Sequence, residues 1–290
     1  MAEFYRCAAQ AGVAMDIVAP TGSVVVSTGP RLAYRDVGEG EPVLLIMGVA
    51  GSLGLWTPLE PPLAETRRII SFDNRGLGSS ERGRGEISAA GMADDAAAVL
   101  DALGIERAHV LGWSLGSAAC QELALRHPDR VGCLVLYGTW ARRDGFQTAM
   151  LTGLRSTWST GDIEAALTAS GVLFSPRLLN SPDFQAIFKP FVPLFPQTPE
   201  QVRVVGEQWQ AAFAHDTLAR LPEIEAPTLV LSGEQDLLTS RWQCEEVANA
   251  IEGAEIARID GPGSSHALHF ERTEEVTKAV SEFLDRHPLR

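Results

Sequence analysis

The stretch HVLGWSLGSAA, residues 109 to 119, carries a serine placed for nucleophilic chemistry. Within it, Gly112-Trp113-Ser114-Leu115-Gly116 forms a G-x-S-x-G pattern, a weak signal by itself because glycine and serine are common. Its context is what gives it weight: an apolar strand-like run leads directly in and an amphipathic helical run leads directly out. A serine at such a turn is forced into a strained backbone conformation with its hydroxyl raised above the strand ends. The flanking glycines are needed because side chains there would collide with the neighbouring strand and helix. A serine N-cap at an ordinary strand–helix junction is the competing reading, and the whole context weighs against it. The hydroxyl of Ser114 is protonated at neutral pH, so it needs a base within hydrogen-bond reach.

Chain order in this arrangement is serine, acid, histidine, each on a loop after a strand. After the apolar run TLVLSG comes Glu234-Gln235-Asp236, and Asp236 stands three residues past Gly233, where a carboxylate can reach back over the sheet. A turn-forming aspartate is the plainer reading of that residue. Glu234 and Asp144 are its rivals as the acid. GPGSSHALHFE offers two histidines: His266 follows a glycine- and serine-rich loop, whereas His269 sits nearer the last helix as a packing or pocket residue. The other histidines lack such a setting. His109 begins a strand, His127 ends a helix, His287 is near the C-terminus, and His215, in the inserted region where it could face substrate, is expected at the surface. The reading is therefore Ser114 as nucleophile, His266 as base and Asp236 as the group that orients the imidazole. The backbone N–H groups of Leu115 and Val49 are the expected oxyanion donors. Trp113, Trp140 and His269 are candidate substrate contacts.

These residues must be held by a regular scaffold, and short β-branched or aliphatic runs alternate with helical patterns from residue 24 onward. Val24–Ser27 and Arg31–Val37 read as an opening hairpin. VLLIM (43 to 47), RIISFD (68 to 73), AHVLGW (108 to 113), VGCLVLYG (131 to 138) and APTLVLSG (226 to 233) read as strands covered on both faces. Helices are expected over 88–104, 115–127, 243–251 and 273–286, with a short strand at 255–259. This alternation argues for an α/β fold with a mostly parallel sheet wrapped by helices on both faces. Between residues 141 and 221 the alternation fails: prolines are frequent, the rest reads as short helices, and aromatic residues concentrate. Most of those aromatics serve a small core of the insertion, and a minority would line an apolar substrate pocket. The expected organisation is an N-terminal extension (1–23), a core (24–140 and 222–290) and an inserted helical cap (141–221).

Composition narrows the partners. A chain of 290 residues with 45% hydrophobic and 21% charged residues matches ordinary globular usage. A formal net charge of −13, scattered along the chain, repels phosphate backbones and anionic lipid, so neither nucleic acid nor a membrane is an expected partner. The four cysteines, Cys7, Cys120, Cys133 and Cys244, show no C-x-x-C spacing, so no metal site and no cofactor is expected. Reduced thiols, no compact apolar leader and no apolar run of about 20 residues point to a cytoplasmic protein acting on a small molecule.

Taken together, the residues from about Val24 to Arg286 resemble the α/β-hydrolase superfamily. PVLLIMG resembles its strand and oxyanion loop, SFDNRGLGSS (71 to 80) its D-x-R-G-x-G-x-S segment, and HPDRVGCLVL and HFERTEEVTKAVSEFL its later elements. The likeness is greatest to small capped esterases and lactonases, which implies a serine hydrolase of ester bonds whose cap is the inserted region. Two departures stand out. Met47-Gly48 replaces the frequent His-Gly at the oxyanion loop, which keeps the backbone donor and removes a hydrogen bond that fixes this loop. Ser117 stands where a further glycine often ends the motif. The serine nucleophile excludes haloalkane dehalogenases and epoxide hydrolases, which carry aspartate there. Hydrolysis of a carbon–carbon bond in a diketone is an alternative, as is a non-hydrolytic biosynthetic enzyme or ligand receptor on the same scaffold.

Overall fold

Each apolar run becomes a strand in the computed structural model, which describes residues 17–289. The strands are β1 (Gly22–Val25), β2 (Arg31–Val37), β3 (Pro42–Ile46), β4 (Arg68–Phe72), β5 (Ala108–Trp113), β6 (Val131–Tyr137), β7 (Thr228–Gly233) and β8 (Glu255–Ile259). They form an eight-stranded sheet in the order β1-β2-β4-β3-β5-β6-β7-β8. β1 pairs antiparallel with β2 and β2 antiparallel with β4, and every other pairing is parallel. Burial explains the difference in composition. β5, β6 and β7 are buried at every position, which requires helices on both faces, whereas β1 at the edge alternates. β1 starts two residues before the expected Val24 because Gly22 pairs with Tyr34. The rest of the expected extension, residues 1–16, lies outside the described residues.

The longer helices are α1 (Ala89–Ala102), α2 (Leu115–Arg126), α3 (Gly145–Ser159), α4 (Ile163–Ala169), α5 (Pro199–Ala214), α6 (Arg241–Ala250) and α7 (Thr273–Arg286). Between β6 and β7 the described chain builds helices and no strand, and α3, α4 and α5 belong to this insertion. Side chains at their starts explain their registers: Asp144, Asp162 and Thr198 each accept a backbone N–H three residues on. The two ends of the insertion are pinned together where the backbones of Arg142 and Asp216 pair in an isolated antiparallel β-bridge and Thr217 N–H donates to the Ala141 carbonyl at 2.9 Å. Phe174, Phe188 and Phe191 form part of an aromatic cluster that continues onto Phe270 of the sheet-bearing part. No described helix is long and apolar enough to cross a membrane.

Parallel register brings the carboxyl ends of β3, β5, β6 and β7 to one rim, with Ile46 opposite Gly112 and Trp113 opposite Tyr137. Loops leaving that rim are where an open parallel sheet holds its ligands.

Candidate active site

Ser114 follows the last residue of β5 and precedes the first of α2, and its backbone sits at φ 56° and ψ −124°. That left-handed φ is uncommon for a residue with a side chain, and the surroundings hold it in place. Ser114 N–H donates to the Tyr137 carbonyl at 2.9 Å, and the Ser114 carbonyl accepts both the N–H and the hydroxyl of Ser117. A Cβ on Gly112 would strike the Gly116 carbonyl, and one on Gly116 would strike the Ile46 carbonyl. Both glycines of the pattern are therefore required by close approach of strand and helix. Ser117, which replaces a further glycine, takes the role of clamping the turn.

His266 is buried on the loop between β8 and α7. Its Nδ1 lies 2.8 Å from Asp236 Oδ2. Asp236 Oδ1 accepts the backbone N–H groups of Leu238 (2.8 Å) and Thr239 (2.9 Å), while Thr239 Oγ1 donates to Oδ2 at 2.7 Å. A carboxylate held by two N–H groups and a hydroxyl keeps one direction free for the imidazole. The main chain of His266 is fixed as tightly: its carbonyl accepts from Trp113 Nε1 at 2.9 Å and from the Tyr137 hydroxyl at 2.6 Å. The loop is also tied to the insertion through Glu271, which accepts from Ser265 Oγ at 2.7 Å and from Ser175 N–H at 2.8 Å. Gly138 has no side chain because a Cβ there would come within 2.9 Å of the imidazole. His266 Nε2 is buried and takes no hydrogen-bond partner, Ser114 Oγ included. Such contacts commonly tighten when substrate binds.

The rival acids are spent elsewhere. Asp144 caps α3 by accepting Gln147 N–H at 2.7 Å and also accepts Trp242 Nε1 at 2.8 Å. Glu234 accepts Gly261 N–H at 2.7 Å.

The loop after β3 brings Gly48, Val49 and Ala50 to the wall of the cavity that Ser114 and His266 also line. The bond lost with the Met47-Gly48 departure is replaced from two other directions. Asn74 Nδ2 donates to the Met47 carbonyl at 2.9 Å, and Ala50 N–H donates to Gln208 Oε1 at 2.9 Å. Ala50 adopts φ 64°, so this loop too is held in a left-handed conformation. Asp73, next to Asn74, accepts Leu53 N–H at 2.7 Å and Ser79 N–H at 2.8 Å, and burial pushes its carboxyl above the usual range. The D-x-R-G-x-G-x-S segment thus folds into a brace for the loop after β3. Leu115 is the first residue of α2, where backbone N–H groups have no intrahelical acceptor and the helix end is positive.

Trp113 and Trp140 line the same cavity. His269 is one layer back: its ring packs against Trp113 at 4.5 Å and Trp56 at 5.5 Å, and it is not among the lining residues. Burial, with the nearby His266 next in importance, pushes its pKa down to about 3. His215 is not at the surface as expected. It is buried against Trp140, with Nε2 at 3.2 Å from Gln121 Oε1, and desolvation lowers its pKa to about 4. Gln121 and Trp140 come from other elements, so no local pattern announced this burial. Sequence reading also missed Thr239, Tyr137, Asn74 and Gln208. Of these only Thr239 left a local trace, as a hydroxyl three residues beyond an aspartate that turns the chain. Among the described residues no cluster of side chains suits a metal ion.

A serine on a strained turn, a fixed Asp–His pair, and a loop and a helix start beside them are the kinds of part that acyl transfer uses. Comparisons with known proteins agree with that class. Residues 41–273 match the family model of the alpha/beta hydrolase fold. A protein of Azorhizobium caulinodans, whose name proposes a carbamate hydrolase RutD, is 34% identical over 232 residues, 79% of this chain and 86% of that one. The crystal structure of a hydrolase from Pseudomonas aeruginosa is 30% identical with a TM-score of 0.79, covering 91% of this chain and 97% of that one. That of an enol-lactonase from Burkholderia xenovorans is 27% identical with a TM-score of 0.78, covering 91% and 100%. With a family match over most of its length, the chain belongs to the α/β hydrolases.

Proposed function

We propose that this hydrolase cleaves a carboxylic ester or lactone of a small to medium, largely apolar substrate through an acyl-enzyme. The observation that carries the reading is the convergence of Ser114, His266 and the Gly48–Ala50 loop on one cavity whose remaining walls are mainly leucine, phenylalanine and tryptophan. His266 Nε2 takes the Ser114 proton as Oγ bonds to the acyl carbon. The negative charge that develops on the carbonyl oxygen is met by the N–H groups of Val49 and Leu115. Collapse breaks the bond to the leaving oxygen, which receives the proton from His266. Water then adds to the acyl carbon with His266 as base, the bond to Ser114 Oγ breaks, and the serine recovers its proton. Asp236 holds the imidazole with Nδ1 protonated and stabilises its cation.

Carbamate cleavage is a second reading, favoured by the name of the Azorhizobium relative, and it needs the same nucleophile and donors. The substrate in either case is a small molecule, and no cofactor takes part in the steps above. The free thiols of Cys120, Cys133 and Cys244 are buried and fit a reducing cytoplasm.

Rapid mixing with 4-nitrophenyl butyrate tests the reading. One equivalent of nitrophenol should appear in a burst, and Ser114→Ala should lower kcat by about 10⁴- to 10⁶-fold. Absence of wild-type turnover with esters, lactones and carbamates alike would remove it.

A further inference from the structure

The polar atoms that the acyl-transfer steps leave unused lie on the insertion's side of the same cavity. Gln147, in the first turn of α3, is fully buried and lines the cavity. Its main chain is accounted for, since its N–H donates to Asp144 Oδ1 at 2.7 Å. Its side chain is not: neither Oε1 nor Nε2 has a hydrogen-bond partner. Around it stand Leu151, Leu154, Trp158 and Phe195, which offer hydrocarbon and aromatic surface. Trp140 and Trp209 also line the cavity, and each has a buried indole N–H without a partner.

An unpaired amide enclosed by apolar side chains is costly, and leucine or methionine would occupy the same space without that cost. What would satisfy it sets the chemistry of the ligand. Gln147 offers one acceptor beside one donor group, so its complement carries a donor beside an acceptor. The two indoles add only donors, which calls for an oxygen able to accept more than one bond. No lysine or arginine lines the cavity, so an anionic group would lose its hydration without a counter-charge. A neutral primary carboxamide, which carries an N–H on the same side as its oxygen, meets every condition.

We infer that Gln147 is a specificity-determining residue that reads a primary carboxamide on the substrate, away from the scissile carbonyl, with an indole N–H of Trp140 or Trp209 as a second donor to the amide oxygen. This inference rests on the ester or lactone hydrolase reading and adds a second polar group to its substrate. The site then has two stations. Ser114 and the oxyanion loop act on one carbonyl, and the Gln147 station selects molecules that carry another at the right distance.

The test uses a panel of esters in which a terminal carboxamide is carried on chains of successive length in the acyl or the alcohol part, each paired with its isopropyl isostere. Binding to Ser114→Ala protein is followed by tryptophan fluorescence, and turnover by the wild type is measured on the same panel. At one position the amide ester should bind at least about tenfold more tightly than its isostere. In Ser114→Ala/Gln147→Leu that ratio should fall to within about twofold, and Gln147→Glu, which keeps acceptors but loses the amide donor, should lower it as well. Gln147→Leu should also raise the Tm, because an unpaired buried amide has been removed. The inference is overturned by a ratio near one at every position, by a ratio that survives both substitutions, or by a fall in Tm that reveals the amide to be a structural partner. A ratio that behaves as expected alongside no turnover of any ester would leave the amide site standing and remove the hydrolase reading alone.

Discussion

The cavity has two walls of opposite character. On the sheet side, hydrogen bonds over-determine the geometry: Asp236 accepts from Leu238, Thr239 twice and the His266 ring, and the His266 carbonyl accepts from two aromatic side chains. On the insertion's side, Gln147, Trp140 and Trp209 bury polar atoms that bond to nothing in the protein. Where electrons move, donors and acceptors must be in place before the substrate arrives, because reorganising them during reaction raises the barrier. Where substrate is chosen, unsatisfied groups supply the difference in affinity between a matching molecule and a mismatched one. In the proposed function, one wall fixes chemistry and the other leaves identity open.

If the sheet wall sets the chemistry, its acid should be the most sensitive point after the nucleophile. Asp236→Asn keeps the shape and most of the contacts but permits an amide nitrogen to face His266 Nδ1, which favours the wrong imidazole tautomer. The expected fall in kcat is about 10³- to 10⁴-fold, with KM little changed. A loss under about tenfold in steady-state kinetics would move the acid to another carboxylate and break the comparison.

Gln208 is where the walls meet. It belongs to α5 of the insertion, yet its Oε1 holds the Ala50 N–H of the loop after β3, the proposed oxyanion loop. Gln208→Leu should loosen Val49 and lower kcat by about 10- to 100-fold while leaving KM for simple esters near its original value. Gln208→Glu retains the acceptor and should recover most of the loss. An unchanged kcat in Gln208→Leu would show the loop to be held by Asn74 alone. A substitution confined to the insertion's wall should act differently. Trp158→Ala opens the cavity, so the preferred acyl chain should lengthen and KM for short esters should rise about tenfold, at a stability cost of about 3 kcal/mol. A change in kcat alone would contradict the division of labour.

The contrast also explains what a single sequence can convey. The strands, the turn at Ser114 and the loops bearing Asp236 and His266 are encoded over ten or so neighbouring residues, as apolar runs, paired glycines and a glycine- and serine-rich loop. Local patterns of that kind can be read directly. The choice between Asp236 and Asp144 is different, because both follow strands and only the folded chain shows Asp144 capping α3. The brace from Gln208 to Ala50 spans 158 residues, and nothing near either residue signals it. His215 shows the same limit. It was expected at the surface because its neighbours in the chain are unremarkable, yet Gln121 from the sheet-bearing part and Trp140 at the root of the insertion enclose it. Gln147 reads in the sequence as an ordinary helix residue, and only the cavity gives its amide a meaning.

The smallest expected effect concerns stability rather than rate, and it follows from the two buried histidines. His269 stands behind the sheet wall and His215 at the base of the insertion, and burial holds their pKa values near 3 and 4. In the unfolded chain each titrates near the ordinary value of 6.5. Below that pH the unfolded state binds protons that the folded state refuses. The stability these neutral rings contribute is therefore complete above pH 6.5 and declines as pH falls, to about 4 for His215 and about 3 for His269. Each should add a slope of about 1 kcal/mol per pH unit within its window. Glu60 and Asp73, whose carboxyls burial pushes upward, act in the opposite sense at the acid end, so the difference between variants is the quantity to read. Urea midpoints measured from pH 7 to pH 4.5 should show the wild type losing stability faster than His215→Gln, by about one proton's worth of slope. Parallel curves would mean that His215 is reached by protons in the folded state, and that the base of the insertion opens as readily as its cavity wall.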